Sequence, residues 1–293
     1  MQLWFFIALG CAFFTACCDS VSKRMMLDND EWIAGGVMLC VASILLSPMF
    51  FVIDFIEFTP EGVKLLAVTL PLEVLAYYLF LSAIRMSALS LTLPLLSFSP
   101  AITIVTASVL LDETIGSMGL IGVLLVTLGA YILNVDPSNF SVLGPVKAVL
   151  SDSGARRMLM VSILWAVTST LGKSGVLIFG ALQFGYLITA LVGAIFLVVG
   201  IFRVKLISAP FVMDGRIGLI FLIAGIFMSL QEVTHFLAIS MAPVAYMISV
   251  KRVSMVIGVI FGWRFFGETN IASRLIGSVI MLAGVVLLSG LRG

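Results

Sequence analysis

Residues 246–268 read YMISVKRVSMVIGVIFGWRFFGE, an apolar run with Lys251 and Arg252 near its middle and Glu268 at its end. A charged side chain at the centre of a bilayer costs about 2.5 to 3.5 kcal/mol, so such residues normally face a protein interior or a watery cavity. The stretch therefore predicts a membrane-spanning helix with a polar cavity on one side.

The composition of the whole chain agrees with a membrane location. Its 293 residues are 61% hydrophobic and 11% charged, with a mean hydropathy of +1.24, whereas soluble domains carry about 25% charged residues. The net charge of +1 gives no basic field for a nucleic acid. Metalloprotease, Walker and nucleophile-elbow motifs do not occur, which argues against an enzyme, a cofactor or a metal site.

The apolar runs divide the chain into ten candidate spans, because a span needs about 20 mostly apolar residues. Their limits are 2–22, 32–53, 63–85, 88–111, 115–134, 158–179, 183–203, 216–240, 243–263 and 271–289. The long connection, 135–157, separates five spans from five. We therefore predict two repeats, residues 1–134 and 158–293.

An internal match supports the two repeats. At an offset of 155, Glu113-Thr114 aligns with Glu268-Thr269, and the pairs Gly122/Gly277 and Gly129/Gly284 also align without a gap. An odd number of spans in each half means that the second copy enters the membrane from the opposite side. Inverted repeats of this kind bind substrates near the midplane and give alternating access by rocking.

The motif Glu113-x8-Gly122-x6-Gly129, repeated as Glu268, Gly277 and Gly284, resembles the signature of the EamA family in the drug/metabolite transporter superfamily. Trp165 and Lys173, at the start of the second half, are similar to the first-helix pattern of that family. The first half departs from this pattern, with Thr15 in the position of the Trp and only Lys23 matching Lys173. The resemblance implies an all-α, ten-helix basket with a central cavity. It also implies a transporter in a plasma membrane, most simply the bacterial inner membrane. Members of the family move amino acids, sugars, nucleotide derivatives, choline and drugs.

The eighth and ninth spans carry the main candidate site. Glu232 and His235 lie three residues apart and share a helical face, and a buried carboxylate there requires a cationic partner such as Lys251 or Arg252. We predict that Arg252 binds a carboxylate or phosphate of the substrate, because its planar fork suits both groups. The alternative is an Arg252–Glu232 ion pair that only holds the helices together. Glu232 and His235, with Glu73 on the third span, are predicted to couple or gate transport.

Three further spans contribute candidate residues. Tyr77 and Tyr78 suit either a ligand wall or an interfacial aromatic belt. In the fourth span, Ser97 aligns with Arg252 where the helix is predicted to break, at Pro94, Ser97, Ser99 and Pro100. Trp165 and Lys173 on the sixth span are predicted to form a third wall, unless Lys173 snorkels to the surface.

The embedded charges favour one class of substrate. Lys173, Lys251 and Arg252 against Glu73 and Glu232 predict a slightly electropositive cavity, which suits an anionic or zwitterionic metabolite with a carboxylate or phosphate. A coupled proton or a counter-substrate is compatible with this site, and so is a monomer or a homodimer in contact with lipid. The alternatives are an exporter of amino acids or amphipathic drugs, and a non-transporting scaffold or sensor.

The cationic residues predict an orientation, because cytoplasmic loops collect Lys and Arg. Ten cations fall in odd-numbered connections and two on the other side. The ten are Lys23, Arg24, Lys147, Arg156, Arg157, Arg203, Lys205, Arg216, Arg264 and Arg274, and the two are Lys64 and Arg292. This distribution predicts that both termini lie outside the cytoplasm.

Overall fold

The computed structural model describes residues 2–26, 28–51, 56–87, 92, 95–133, 151–258, 260 and 272–290. Within these ranges the chain forms helices and no β-strand. The α-helices are α1 (Leu3–Met25), α2 (Glu31–Leu46), α3 (Pro60–Met86), α4 (Ser99–Leu111), α5 (Ser117–Leu133), α6 (Ser153–Phe179), α7 (Ala181–Ile207), α8 (Gly215–Met241), α9 (Val244–Lys251) and α10 (Ala272–Ser289), with a 3-10 helix at Ser47–Phe51. Pro94 and Glu268, and most of the connection 135–157, lie outside the described residues.

Six of the described helical stretches are long and apolar enough to cross a membrane: α1, α2 together with the start of the 3-10 helix that follows it (Glu31–Met49), α3, α6, α7 and α8. Helices α4 and α5 and the segment Ile276–Ser289 of α10 are apolar and shorter. The predicted all-α membrane fold is therefore confirmed. Six of the ten predicted spans meet the full length within the described part of the chain.

Polar side chains fix where several helices begin. Asp30, Asp152 and Asp214 each accept a hydrogen bond from a backbone N–H in the first turn of α2, α6 and α8, as N-cap residues do. Thr59 caps α3 in the same way, with Pro60 in the first turn. The bond from the N–H of Ala155 and a second one from the Ser87 hydroxyl hold the pKa of Asp152 below its usual value.

Each long helix of the first half packs mainly on one helix of the second half. The pairs are α1 with α8, α2 with α7, α3 with α6 and α5 with α10. Helices α1 and α8 are antiparallel, because Cys11 contacts Gln231 and Cys18 contacts Met228. Since α1, α2 and α3 alternate in direction, α3 also runs antiparallel to α8.

Glycines allow close contact in two of these pairs. A Cβ at Gly36 of α2 would meet the backbone of Leu197 in α7. In α5 and α10 the four glycines of the repeated motif touch each other: Gly122 contacts Gly284, and Gly129 contacts Gly277. Small residues let membrane helices approach to backbone contact.

Two spans are interrupted near their middle. A turn at residues 97–98 precedes α4, and a turn at residues 252–253 follows α9, after which residues 254–258 are helical again. The predicted interruption of the fourth span is present at Ser97. The matching break in the ninth span was not predicted, and it lies 155 residues further along, at the offset of the sequence repeat.

Different ion pairs hold the helices together at the two ends of the bundle. At the upper face, which we define by Met25 and Glu31, Arg203 makes a bidentate pair with Asp30, with Nη2 and Oδ2 2.8 Å apart. Arg85 pairs with Glu31 at the same face. At the lower face, defined by Glu113 and Ala242, the main ion pair is Lys173–Glu113, 2.8 Å long.

Candidate functional site

A cavity of about 110 Å³ lies at the centre of the bundle. Helices α1, α2, α3, α6, α7, α8 and α9 line it. Seven of the ten predicted site residues face it, namely Glu73, Tyr77, Trp165, Glu232, His235, Lys251 and Arg252. The cavity therefore brings together the intramembrane charges of both halves of the chain.

Two carboxylates lie at the same level of this cavity. The Tyr77 hydroxyl of α3 donates a hydrogen bond to the sulfur of Met228 in α8, 3.4 Å away. Glu73 lies one turn before Tyr77, and Glu232 lies one turn after Met228. Because α3 and α8 are antiparallel, these two steps lead in the same direction, and Glu73 and Glu232 are close enough to interact electrostatically.

Arg252 lies at the break after α9 and only 6% of its surface is exposed. Its Nε and Nη2 donate hydrogen bonds to the Ser99 hydroxyl oxygen, 3.1 and 2.5 Å away. Ser99 is the first residue of α4, so the contact joins the two interrupted spans at the level of the cavity. Ser97, the residue that aligns with Arg252 in the sequence repeat, is fully buried and does not line the cavity.

The ion pairs found among the described residues are Arg85–Glu31, Lys173–Glu113 and Arg203–Asp30. The alternative of an Arg252–Glu232 pair that locks the helices is therefore not seen in this part of the chain. Glu232 instead accepts a long hydrogen bond, 3.4 Å, from the side-chain amide of Gln231.

Lys251 interacts electrostatically with the carboxylates of Asp19, Glu73 and Glu232. Asp19, on α1, was not predicted as a site residue, although it lines the cavity. The signal was present in the sequence, since an acid inside the apolar run 2–22 indicates a function by default.

Aromatic rings form one wall of the cavity. Trp165 packs against Phe80, with 4.9 Å between the ring centroids, and meets the ring of Tyr77 edge-on at 6.3 Å. Tyr78, the next residue, points elsewhere, because successive residues of a helix lie about 100° apart. Its ring stacks on Trp32 of α2 at 4.9 Å, outside the cavity.

Comparison with known proteins gives a family match for the first part of the chain. Residues 2–135 match the EamA-like transporter family. The match covers less than half of the chain, so this part of it is similar to that family. The fold is similar to that of a solved chain described as "Crystal structure of protein", with a TM-score of 0.78 and 10% identity, over 97% of this chain and 95% of that one. No curated protein matches the sequence significantly.

The acid of the EamA motif in the first half, Glu113, binds residues of the second half. Its Oε2 accepts a hydrogen bond from the N–H of Val244 over 3.0 Å, at the start of α9, and its Oε1 pairs with Lys173. Lys173 also donates to the carbonyl of Ala242 over 2.7 Å. The structure thus places Lys173 at the lower face, away from the central cavity, and shows Glu113 capping the N-terminus of α9.

These placements change the charge balance on which the predicted substrate class depended. Lys173 does not line the central cavity and Asp19 does. Among the described lining residues, two cations, Lys251 and Arg252, therefore face three acids, Asp19, Glu73 and Glu232. The expectation of an electropositive cavity is wrong for these residues, and charges of both signs line it.

Proposed function

We propose that this protein is a secondary transporter that carries a small polar metabolite, with a carboxylate or phosphate group, through the central cavity by alternating access. The observation that carries this proposal is Arg252, a buried guanidinium in a predicted membrane span, whose side-chain hydrogen bonds among the described residues go to a neutral serine, Ser99. The described ion pairs do not include Arg252, and Asp19 acts on it only from a distance. A buried charge without a close counter-ion is costly, so an anionic group of a substrate would stabilise it. Lys251, beside it, adds a second cation to the same site.

The proposal includes a second, inverted EamA repeat at residues 158–293, joined to the first, 1–134, by the connection 135–157. The helix pairing supports it. In two such repeats α1 corresponds to α6 and α3 to α8, so the contact of α1 with α8 has its counterpart in the contact of α6 with α3. The breaks at residues 97–98 and 252–253 differ by the same offset of 155. The glycine contacts support it as well, since Gly122 touches Gly284 and its counterpart Gly277 touches Gly129, as at a two-fold contact.

The location and orientation belong to the same proposal. We place the chain in a plasma membrane, with both termini outside the cytoplasm. The upper face then lies in the cytoplasm, because Arg24, Arg156, Lys205 and Arg216 end or begin helices there.

We further propose that Glu232, His235 and Glu73 couple transport to protons. Asp19, Lys251 and Arg252 face the same cavity, so a carboxylate there gains or loses charge in response to its neighbours. Coupling of this kind predicts that the transport rate changes with pH between roughly 5 and 8. A transport rate that does not change with pH over that range would argue against this coupling.

The substrate can be searched for by thermal stability in detergent, with anionic, zwitterionic and cationic metabolites as probes. A ligand at 100 times its dissociation constant stabilises the folded state by about 2.7 kcal/mol. We expect carboxylate- or phosphate-bearing compounds to raise the melting temperature. Stabilisation by cations alone would instead favour an exporter of cationic or amphipathic drugs.

The role of Arg252 is tested with the compound found in this way, by flux into liposomes. Arg252→Met should abolish flux. Arg252→Lys should retain part of it, because lysine keeps the positive charge but lacks the planar guanidinium that binds an acid through two hydrogen bonds. Lys205→Met, which removes an exposed cation at the end of α7, is the control and should transport normally. If Arg252→Met folds and transports as well as the wild type, the proposal fails, and the scaffold or sensor alternative is favoured.

A further inference from the structure

A second recess lies at the lower face of the bundle, next to the central cavity. Its volume is about 320 Å³, and Glu113, Lys173, Ser240 and Ala242 are among the residues that line it. These residues bring charged, hydroxyl and carbonyl groups to its surface, so the recess can take up water and polar solutes. We call it the lower recess.

Only a thin layer of protein separates the lower recess from the central cavity. On α6, Gly172 lines the cavity and the next residue, Lys173, lines the recess. On α8, Phe236 lines the cavity and Ser240, four residues further, lines the recess. Both steps lead toward the lower face, and a helical turn is about 5.4 Å long. Along these two helices the two spaces are therefore no more than about one helical turn apart.

Two contacts between α6 and the end of α8 close this layer. On the cavity side, the ring of Phe236 packs against α6, since a Cβ at Gly172 would lie 3.5 Å from a ring atom. On the recess side, Lys173 donates a hydrogen bond to the carbonyl of Ala242 over 2.7 Å and pairs with Glu113 over 2.8 Å. An apolar ring followed by a charged contact thus fills the gap between the two helices. We call these two contacts the lower layer.

Both contacts of the lower layer can break and form again without a change in the helices themselves. Lysine carries three N–H donors at the end of a flexible four-carbon chain, so Lys173 can leave Ala242 by rotating its side chain. Gly172 has no side chain that could interlock with the ring of Phe236. The glycine contacts between α5 and α10, by contrast, are made by backbone atoms. The lower layer is therefore suited to open and close.

We propose that the lower layer is the gate between the central cavity and the lower side of the membrane, and that the lower recess is the mouth of the transport path on that side. This inference rests on the proposed function, in which the cavity opens to each side in turn. The gate is closed in this structure. It opens when Lys173 releases Ala242 and Glu113, and when the ring of Phe236 leaves Gly172.

The test measures how fast a cysteine in the central cavity reacts with a membrane-impermeant thiol reagent, applied to one side of oriented liposomes at a time. Ser169 of α6 lines the cavity, and Ser169→Cys is made in a protein whose four native cysteines are replaced. Glu113→Gln with Lys173→Met then removes the charged contact without leaving an unpaired charge. We expect the reaction from the lower side to become roughly tenfold faster or more, because a charged hydrogen bond no longer favours the closed gate. The reaction from the upper side should not become faster.

Matched variants show whether the effect belongs to the lower layer. Asp30→Asn with Arg203→Gln removes the ion pair at the upper face instead, and should leave the reaction from the lower side unchanged. Phe236→Ala should speed the reaction from the lower side. Phe221→Ala should not, because it removes a buried ring of α8 that does not line the cavity.

The outcomes separate the gate from the proposed function. If the cysteine reacts from both sides in the parent protein, but neither lower-layer variant changes the rate from the lower side, the gate is wrong and the proposed function stands. An equal rise from both sides would also refute the gate, because it would show a loosened fold. If the cysteine does not react from the lower side in any of these proteins, both fail.

Discussion

At the scale of single residues, Glu113 has the clearest structural role. One carboxylate caps the N-terminus of α9, which favours negative charge, and neutralises Lys173 of α6. Both side chains are 16% exposed, so water compensates little for a lost partner. The acid of the EamA motif thus ties the end of α4 to two helices of the other half.

We predict that Glu113→Ala destabilises the protein by about 3 to 5 kcal/mol, because it leaves Lys173 as an uncompensated, largely buried charge. The double variant Glu113→Gln with Lys173→Met should be more stable than the sum of the single changes predicts. Thermal unfolding in detergent measures both effects. Asp112→Asn, an exposed neighbour of Glu113, is the control, and additive effects of the two changes would show that the pair is unimportant.

At the scale of secondary structure, the contact between α5 and α10 explains the glycines of the motif. A Cβ at Gly129 would meet the backbone of Met281 and would lie 2.7 Å from the carbonyl oxygen of Gly277. Backbone atoms cannot move aside as the end of a side chain can. The glycines are therefore required by close packing between the fifth and the last predicted spans.

Gly129→Ala should separate α5 from α10 and cost at least about 1 to 3 kcal/mol, the range for overpacked cores. Gly10→Ala in α1 is the matched control, because its nearest neighbour, a ring atom of Phe14, is 4.0 Å from the added Cβ. That change should be neutral or stabilising, since alanine favours a helix. Similar melting temperatures for the two variants would mean that the contact between α5 and α10 is looser than described.

At the scale of the whole molecule, the sequence predicted the helical membrane fold and most of the cavity. The charged residues of α8 and α9 were found because charge is rare and costly within apolar spans. The sequence does not show that Lys173 lies outside the cavity. Its ion-pair partner, Glu113, is 60 residues away in the sequence and adjacent only in the fold. Tyr78 was included with Tyr77 because spacing alone does not determine which of two adjacent residues faces inward.

The account as a whole depends on a central cavity that opens to each side of the membrane in turn. Ser169 of α6 lines this cavity, and Ser162 of the same helix is buried outside it. Each can be changed to cysteine in a protein whose four native cysteines, Cys11, Cys17, Cys18 and Cys40, are replaced by serine or alanine. A membrane-impermeant thiol reagent is then applied to one side at a time in oriented liposomes. We predict that Ser169→Cys reacts from both sides and Ser162→Cys from neither, whereas a cysteine at 169 that reacts from one side only, or from neither, would contradict alternating access.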